Sequence, residues 1–392
     1  MKYQIALAAD LHLGVISAER QKKELEEIFF HDLEERSYLD AIIILGDLYD
    51  KKIYLNDKTT SVAIWFYQRL FEIARKKHAK IRIIYGTKSH EADQYNLVEQ
   101  VPKEDLDFRV IYHAETEELF KGLQVLYLPE EYLYNKEEYY EDLIYNPKER
   151  YQYVFGHGII DEIMTTGSQK SVENKRLHVP KFTIGDFKRC CSGEVYFGHY
   201  HIHSELQEFV YYVGSFNRWC FGEEEPKGYM LISYDTEEQS YSHDFFENTL
   251  TDKYHTIYYG YNHKIFTSES LLLKEFEHLE RLIEKQVFQK IRCMVTIPEN
   301  LPNPEFYLNM FKERFKFSKQ IVVEFKSGYK SANRGVNSEA VEKVYKEYGF
   351  ITDKSLSIED TTSRFIEAKQ KKKIPAERIK KFMVTENVMT LL

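Results

Sequence analysis

Five short motifs in this 392-residue chain carry residues able to do chemistry, and each follows an apolar run. They are Asp10-Leu11-His12-Leu13-Gly14, Gly46-Asp47-Leu48-Tyr49-Asp50, Gly86-Thr87-Lys88-Ser89-His90-Glu91, Gly156-His157-Gly158 and Gly198-His199-Tyr200-His201. Together they hold five of the 14 histidines. Mixed carboxylate and imidazole ligands suit divalent transition ions such as Mn, Zn and Fe. Two such ions side by side activate a bridging water and neutralise a phosphoryl oxygen, which serves in-line displacement at phosphorus. A lone D-x-H or H-x-H is more often a satisfied polar pair, and a single Gly-Asp is usually a turn. Five such motifs in order, each where a strand gives way to a loop, point to one shared pocket.

The elements that must position them can be read from periodicity. Gln4–Ala9, Ala41–Leu45 and Ile81–Tyr85 are strand-length apolar runs. Between them, Glu19–Arg36 places Leu25, Ile28, Phe29 and Leu33 on one helical face, and Lys58–Lys77 does the same with Val62, Trp65, Phe66, Leu70 and Ile73. This βαβαβ order predicts an α/β domain with its functional residues in loops after strand C-termini. Leu123–Leu128, Tyr151–Phe155, Glu194–Phe197, Phe209–Val213 and Tyr229–Tyr234 predict further strands with fewer helices between them. From about Phe246 the pattern becomes a compact α+β unit: helix Ser268–Val287, strand Lys290–Ile297, helix Pro304–Phe315 and strand Gln320–Lys326. A Gly/Ser/Asn-rich joint follows, then helical segments Ser338–Tyr348, Ser357–Lys372 and Pro375–Met383. The resulting division is 1–245, 246–326, a linker at 327–338 and a helical tail at 339–392.

Composition narrows the function classes. With 54 Lys+Arg against 63 Asp+Glu the net charge is -9, and hydrophobic residues make up 43%. That balance excludes a collagen-like or wholly disordered chain and a self-sufficient polycationic DNA binder. The charge is uneven: residues 326–392 carry 14 Lys+Arg and 9 Asp+Glu, a net of +5, leaving -14 on residues 1–325. The acidic clusters Glu130–Glu149 and Glu223-Glu224-Glu225 read as solvated faces. Cys190, Cys191, Cys220 and Cys293 form no C-x-x-C pair, so reduced thiols of a cytoplasmic protein are expected. The N-terminal apolar run is too short for a signal peptide, and Ala41–Leu45 is too short to span a bilayer, so no membrane association is expected.

The five motifs, in this order, resemble those of the calcineurin-like metallophosphoesterase superfamily, and within it the SbcD-type DNA repair and recombination nucleases, phage versions included. The likeness continues through Tyr212-Val213-Gly214-Ser215-Phe216-Asn217-Arg218, Phe221-Gly222-Glu223-Glu224 and Lys227-Gly228-Tyr229. It implies a four-layer α-β-β-α sandwich with a small α+β capping domain that binds DNA and a helical C-terminal tail. It implies two Mn(2+) ions, with Mg(2+) or another divalent ion as substitutes. Asp10, His12 and His201 would bind the first ion, His157 and His199 the second, and Asp47 would bridge them. His90 would be the catalytic histidine near the scissile phosphate, acting on developing charge or protonating the leaving oxygen. Asp50 and Tyr49 would be supporting residues. One motif departs from the family's Gly-Asn-His, whose Asn binds the second ion. Here Gly86-Thr87-Lys88-Ser89-His90 lacks it, leaving water, Thr87 or Ser89, which stands just before His90, to fill the position. Lys88 adds a positive charge beside the phosphate site.

The function implied is a two-metal-dependent DNA nuclease, exonuclease and endonuclease, that hydrolyses phosphodiester bonds with a metal-activated water. It would be the nuclease subunit of an SbcCD-type DNA end-processing complex. The partners implied are DNA, an SbcC-type coiled-coil ATPase docked on the C-terminal helices, and a second copy in a homodimer within a heterotetramer. Two other readings stand beside it. One is a non-catalytic DNA-end scaffold whose second metal site has lapsed. The other is a small-molecule phosphodiesterase or phosphatase, against which stand the unit after residue 246 and the basic tail.

Overall fold

The computed structural model describes residues 1–54, 57–92, 94–163, 180–259, 268–285, 287–297, 303–316, 318–327, 357–370, 374–375 and 377–378. It is a mixed α/β protein. The chain opens with β1 (Lys2–Ala8), α1 (Ala18–Glu24), a π-helical turn (Leu25–Phe30) and α2 (His31–Glu35). It continues through β2 (Ala41–Leu45), α3 (Lys58–Lys77), β3 (Lys80–Ile84), α4 (Lys88–Glu91) and β4 (Phe108–Ile111). Next come β5 (Glu115–Phe120), β6 (Leu123–Leu128), α5 (Lys136–Tyr139), β7 (Tyr151–His157), the short pair β8 (Ile159–Ile160) and β9 (Lys181–Phe182), then α6 (Ile184–Cys190) and β10 (Cys191–Gly198). β11 (Ser204–Leu206), β12 (Val210–Tyr212), β13 (Gly228–Asp235) and β14 (Ser240–Glu247) complete this part.

Two six-stranded sheets result, ordered β14-β13-β1-β2-β3-β4 and β11-β12-β10-β7-β6-β5. Within them β1 to β4 are mutually parallel, as are β6, β7, β10 and β12, while β5, β11 and β13 pair antiparallel at the flanks. β2 is Ala-Ile-Ile-Ile-Leu with every residue buried, as a central parallel strand covered on both faces must be. Its alternate side chains go to different cores, following the two-residue period of a strand. Ile42 and Ile44 pack with Val62, Phe66 and Leu70 of α3. Ile43 and Leu45 share a second core with Tyr127, Tyr153, Phe155 and Tyr196 of the other sheet. Leu128, Val154, Val195 and Phe197, from the far face of that sheet, join Phe187 of α6 in a third core.

α3 has the expected bounds. The Asp57 side chain accepts from the Thr59 amide at 2.8 Å at its start, and His78 ends it in the left-handed conformation. The helix expected over Glu19–Arg36 is instead interrupted by the π turn. Such a turn inserts a residue and rotates the face that follows. Adjacent Phe29 and Phe30 are thereby both buried, Phe29 against Tyr229 and Phe30 against Phe66.

The C-terminal unit corrects the α+β expectation. It runs β15 (Tyr254–Tyr259), α7 (Glu269–Glu284), β16 (Lys290–Ile297), α8 (Pro304–Phe315) and β17 (Ile321–Ser327), an alternating unit with a parallel sheet ordered β15-β16-β17. Its own core includes Leu272, Phe276, Leu279, Ile291, Val295 and Phe311. β15 escapes the sequence reading because Tyr-His-Thr-Ile-Tyr-Tyr has no continuous apolar run, and most of it is only half-buried. β14 likewise carries polar residues along an edge and runs to Glu247, across the expected boundary at 245. One tail helix, α9 (Ile358–Gln370), is described. Residues 328–338 of the expected linker, Ser338–Tyr348 and most of Pro375–Met383 lie outside the described residues. Among the described residues no helix is long and apolar enough to cross a membrane.

Candidate metal centre

Both sheets send the C-terminal ends of their parallel strands to one place. Asp10 and His12 follow β1, Asp47 follows β2 and Thr87 follows β3, while His157 ends β7 and His199 and His201 follow β10. Two groups of potential ligand atoms form there, each within 4.8 Å of one another: Asp10, His12 and His201, and Asp47, His157 and His199. The six expected residues come together, with Asp47 grouped beside His157 and His199. Asp47 Oδ2 lies 3.3 Å from His157 Nε2 and 3.9 Å from His12 Nε2, so its carboxylate stands between the groups.

The backbone here is unusual. Asp10, His12, Asp47 and His199 all have positive φ, at 49°, 42°, 47° and 100°. Non-glycine residues rarely adopt this conformation, and the strain concentrates where the surrounding structure holds a functional geometry. Hydrogen bonds impose it: the Asp10 amide donates to the Gly46 carbonyl at 3.1 Å, and the His12 amide to the Asp47 carbonyl at 3.0 Å. The glycines make room. A Cβ on Gly46 would stand 2.3 Å from His157 Nδ1, and one on Gly86 would stand 2.4 Å from Asp47 Oδ1.

Two of the imidazoles, His157 and His201, are oriented by a partner on the far nitrogen, as metal-binding histidines usually are. His157 Nδ1 donates to the Leu45 carbonyl at 2.7 Å, which turns Nε2 toward Asp47. His201 Nδ1 donates to Glu223 Oε1 at 2.8 Å, which turns its Nε2 to within 3.2 Å of His12 Nε2. The Lys227 ammonium donates to the His201 carbonyl and Ser215 Oγ to the same oxygen, tying the loop to the stretch after β12. Buried His12 Nδ1 and His199 Nδ1 have no aligned hydrogen bond. Carboxylates, converging ring nitrogens and such orphaned atoms together fit divalent ions.

Electrostatics agree. Burial alone would push the Asp47 carboxyl up, but His157, then His12 and His90, outweigh it and hold it well below the usual range. Burial works against a charged His157, yet Asp47, Asp10 and Glu130 raise it to about 10. Burial drives His12 well below its ordinary value, with His201 and His90 adding to the effect. An ion bound through His157 Nε2 would have to displace the proton that these carboxylates favour there.

His90 lies beside the first group, its ring edge-on to His12 with centroids 4.8 Å apart. Its Nδ1 donates to the Asp50 carbonyl, leaving Nε2 as the other ring nitrogen. Asp50, His12 and His90 also lie close enough to form a ligand group, more than the supporting role expected of Asp50. Lys88 is exposed on the same turn.

Ser89 is a correction. It is exposed, and the hydroxyl that reaches the cluster belongs to Thr87. The Thr87 amide donates to Asp47 Oδ1 at 2.6 Å, and its Oγ1 lies 3.2 Å from Asp47 Oδ2 and 3.4 Å from His157 Nε2. The chain leaves β3 through Gly86 and turns into α4 with Thr87 as its N-cap residue, so Ser89 falls on the outer side of that turn.

Two acidic residues read as solvated are corrected as well. Glu130 and Glu223 are each only 5% exposed, and both face candidate ligands. Glu130 follows β6 as the other site residues follow their strands, the one sequence signal that would have found it. Trp219, also not singled out, lies edge-on to His12 and His201, at centroid distances of 4.9 and 4.6 Å. Among the other residues, His203 is half-buried against Phe245, and all four cysteines are unpaired.

No family model matches the chain, and no curated protein matches it. A solved crystal structure among those that match is 13% identical and covers 63% of this chain and 100% of its own, with a TM-score of 0.33. A likeness at that score carries no argument about fold or function.

Proposed function

We propose that this protein is a two-metal DNA nuclease, the nuclease subunit of an SbcCD-type end-processing complex, acting in the cytoplasm of a bacterial or phage-infected cell. The observation that carries the proposal is the pair of ligand groups, Asp10, His12 and His201 against Asp47, His157 and His199, with the Asp47 carboxylate between them. In this reading the stacked cores are the four-layer α-β-β-α sandwich of the metallophosphoesterases. Divalent ions held by these residues, manganese first, would supply Lewis acidity to a phosphoryl oxygen and lower the pKa of a water. The chain's own groups do the rest. His90, held through Nδ1 by the Asp50 carbonyl, offers Nε2 to the leaving sugar oxygen or to its developing charge. Lys88, exposed on the same turn, meets a backbone phosphate. The C-terminal α/β unit supports a DNA substrate larger than a simple ester. It is fastened beside the site by an Arg20–Asp252 ion pair and by the Thr256 amide donating to Glu224 at 2.6 Å. Residues 326–392, net +5, support docking of a coiled-coil ATPase on the helices there.

The test is cleavage of duplex and single-stranded DNA by purified protein with manganese, beside an Asp47→Ala control. The proposal expects cleavage by the wild type and none above background by the control. Intact DNA in both contradicts it. Hydrolysis of chromogenic phosphate esters alone would then favour the small-molecule enzyme, and no hydrolysis at all the scaffold.

A further inference from the structure

Glu130 is a buried carboxylate that neither the sequence motifs nor their family resemblance accounts for. Its backbone amide donates to the Tyr85 carbonyl at 3.1 Å, which ties the end of β6 to the end of β3 across the two sheets. Its Oε1 accepts from the Tyr132 hydroxyl at 3.0 Å, and that bond aims Oε2 into the cluster. There Oε2 stands 3.2 Å from Thr87 Oγ1, 3.3 Å from His199 Nδ1 and 3.9 Å from His157 Nε2.

A buried carboxylate needs a compensating charge. Among the described residues Glu130 has ion-pair contacts with His157 and His199 alone, and no Lys or Arg lies within ion-pair reach. Asp47 competes for the same His157 nitrogen at 3.3 Å. Two carboxylates thus face one pair of imidazoles, and a divalent cation beside Glu130 Oε2 would offset the excess negative charge. His199 Nδ1 is buried without an aligned hydrogen bond, so the 3.3 Å approach of Glu130 Oε2 leaves it unsatisfied.

Building on the two-metal reading, we propose that Glu130 is a ligand of the second ion, with Thr87 Oγ1 orienting its carboxylate. Both halves of the centre then hold two carboxylates and two imidazoles: Asp10, Asp47, His12 and His201 on one side, Asp47, Glu130, His157 and His199 on the other. A second carboxylate oxygen favours a hard ion such as manganese in that half.

Manganese binding to the full chain, measured by isothermal titration calorimetry, and a manganese-loaded crystal structure test this together. Glu130→Ala is expected to keep one tight ion and to lose the second by more than about a hundredfold, beyond the 10–100-fold typical of a residue that only orients a ligand. Glu130→Gln keeps the volume and guards against misfolding. It is expected to fold like the wild type, by its melting curve, and to bind the second ion more weakly. In the wild-type crystal a Glu130 oxygen is expected about 2.1 Å from an ion, an ordinary metal–carboxylate distance. Two equally tight ions in Glu130→Ala, or a carboxylate that touches only the imidazoles in the loaded crystal, overturns the assignment and leaves the two-metal reading standing. A wild type that binds no manganese overturns the two-metal reading itself.

Discussion

The two halves of the centre use the same kinds of donor but place their supporting carboxylates on opposite sides. In the first half Glu223 stands behind His201, on the nitrogen turned away from the cluster. In the second, the Leu45 carbonyl stands behind His157, and the Glu130 carboxylate stands in front. A carboxylate behind an imidazole orients it and raises its basicity, whereas one in front adds charge to the pocket itself. The halves also differ in protonation. His12 is pushed well below its ordinary value by burial, while His157, despite burial, is raised to about 10 by Asp47 and its acidic neighbours. Burial thus favours a neutral imidazole at His12 in the first half, while it raises the Asp10 carboxyl. The second half must give up a proton to take an ion.

The largest effect that would break this comparison is Asp47→Ala, since its carboxylate stands between the two groups. It is expected to remove both ions in a calorimetric titration and all metal-dependent cleavage. Loss of one ion alone would show that the carboxylate is not shared. Next, Glu223→Gln is expected to weaken the first ion about 10–100-fold and to leave the second unchanged, as removal of an orienting partner does. Equal weakening of both would erase the distinction. Smallest is the pH response. With His157 at about 10, the second ion's apparent affinity is expected to rise with pH toward that value, by up to about tenfold per unit for one displaced proton. The first ion's affinity has no such contribution from His12. Titrations in buffers of different ionisation enthalpy should show the His157 proton released with the second ion.

The legible part of the site is the part set by strand ends. Asp10, His12, Asp47, His157, His199 and His201 each follow or end a short apolar run that forms a buried parallel strand, so the sequence order of motifs becomes proximity in space. Glu130 follows the same rule after β6, but it stands in a tract so rich in acidic and tyrosine residues that a solvated face is the natural reading. Glu223 is hidden in the same way by Glu224 and Glu225, of which Glu224 does reach outward, to His255 and the Thr256 amide. Ser89 lost to Thr87 because adjacency to a histidine in sequence says nothing of direction once the chain turns at Gly86. Strands escaped for a related reason. β5 carries Glu115, Thr116, Glu117 and Glu118, and β14 carries Ser240, Ser242, His243 and Asp244. Edge strands need only one apolar face, and their pairing is set by partners distant in the chain.

The most direct measurement is anomalous diffraction at the manganese edge from crystals of the wild-type protein grown with manganese. Two peaks per chain are expected, one among Asp10, His12, His201 and Asp47, the other among Asp47, His157 and His199. A single peak, or peaks away from Asp47, would contradict a shared two-metal centre.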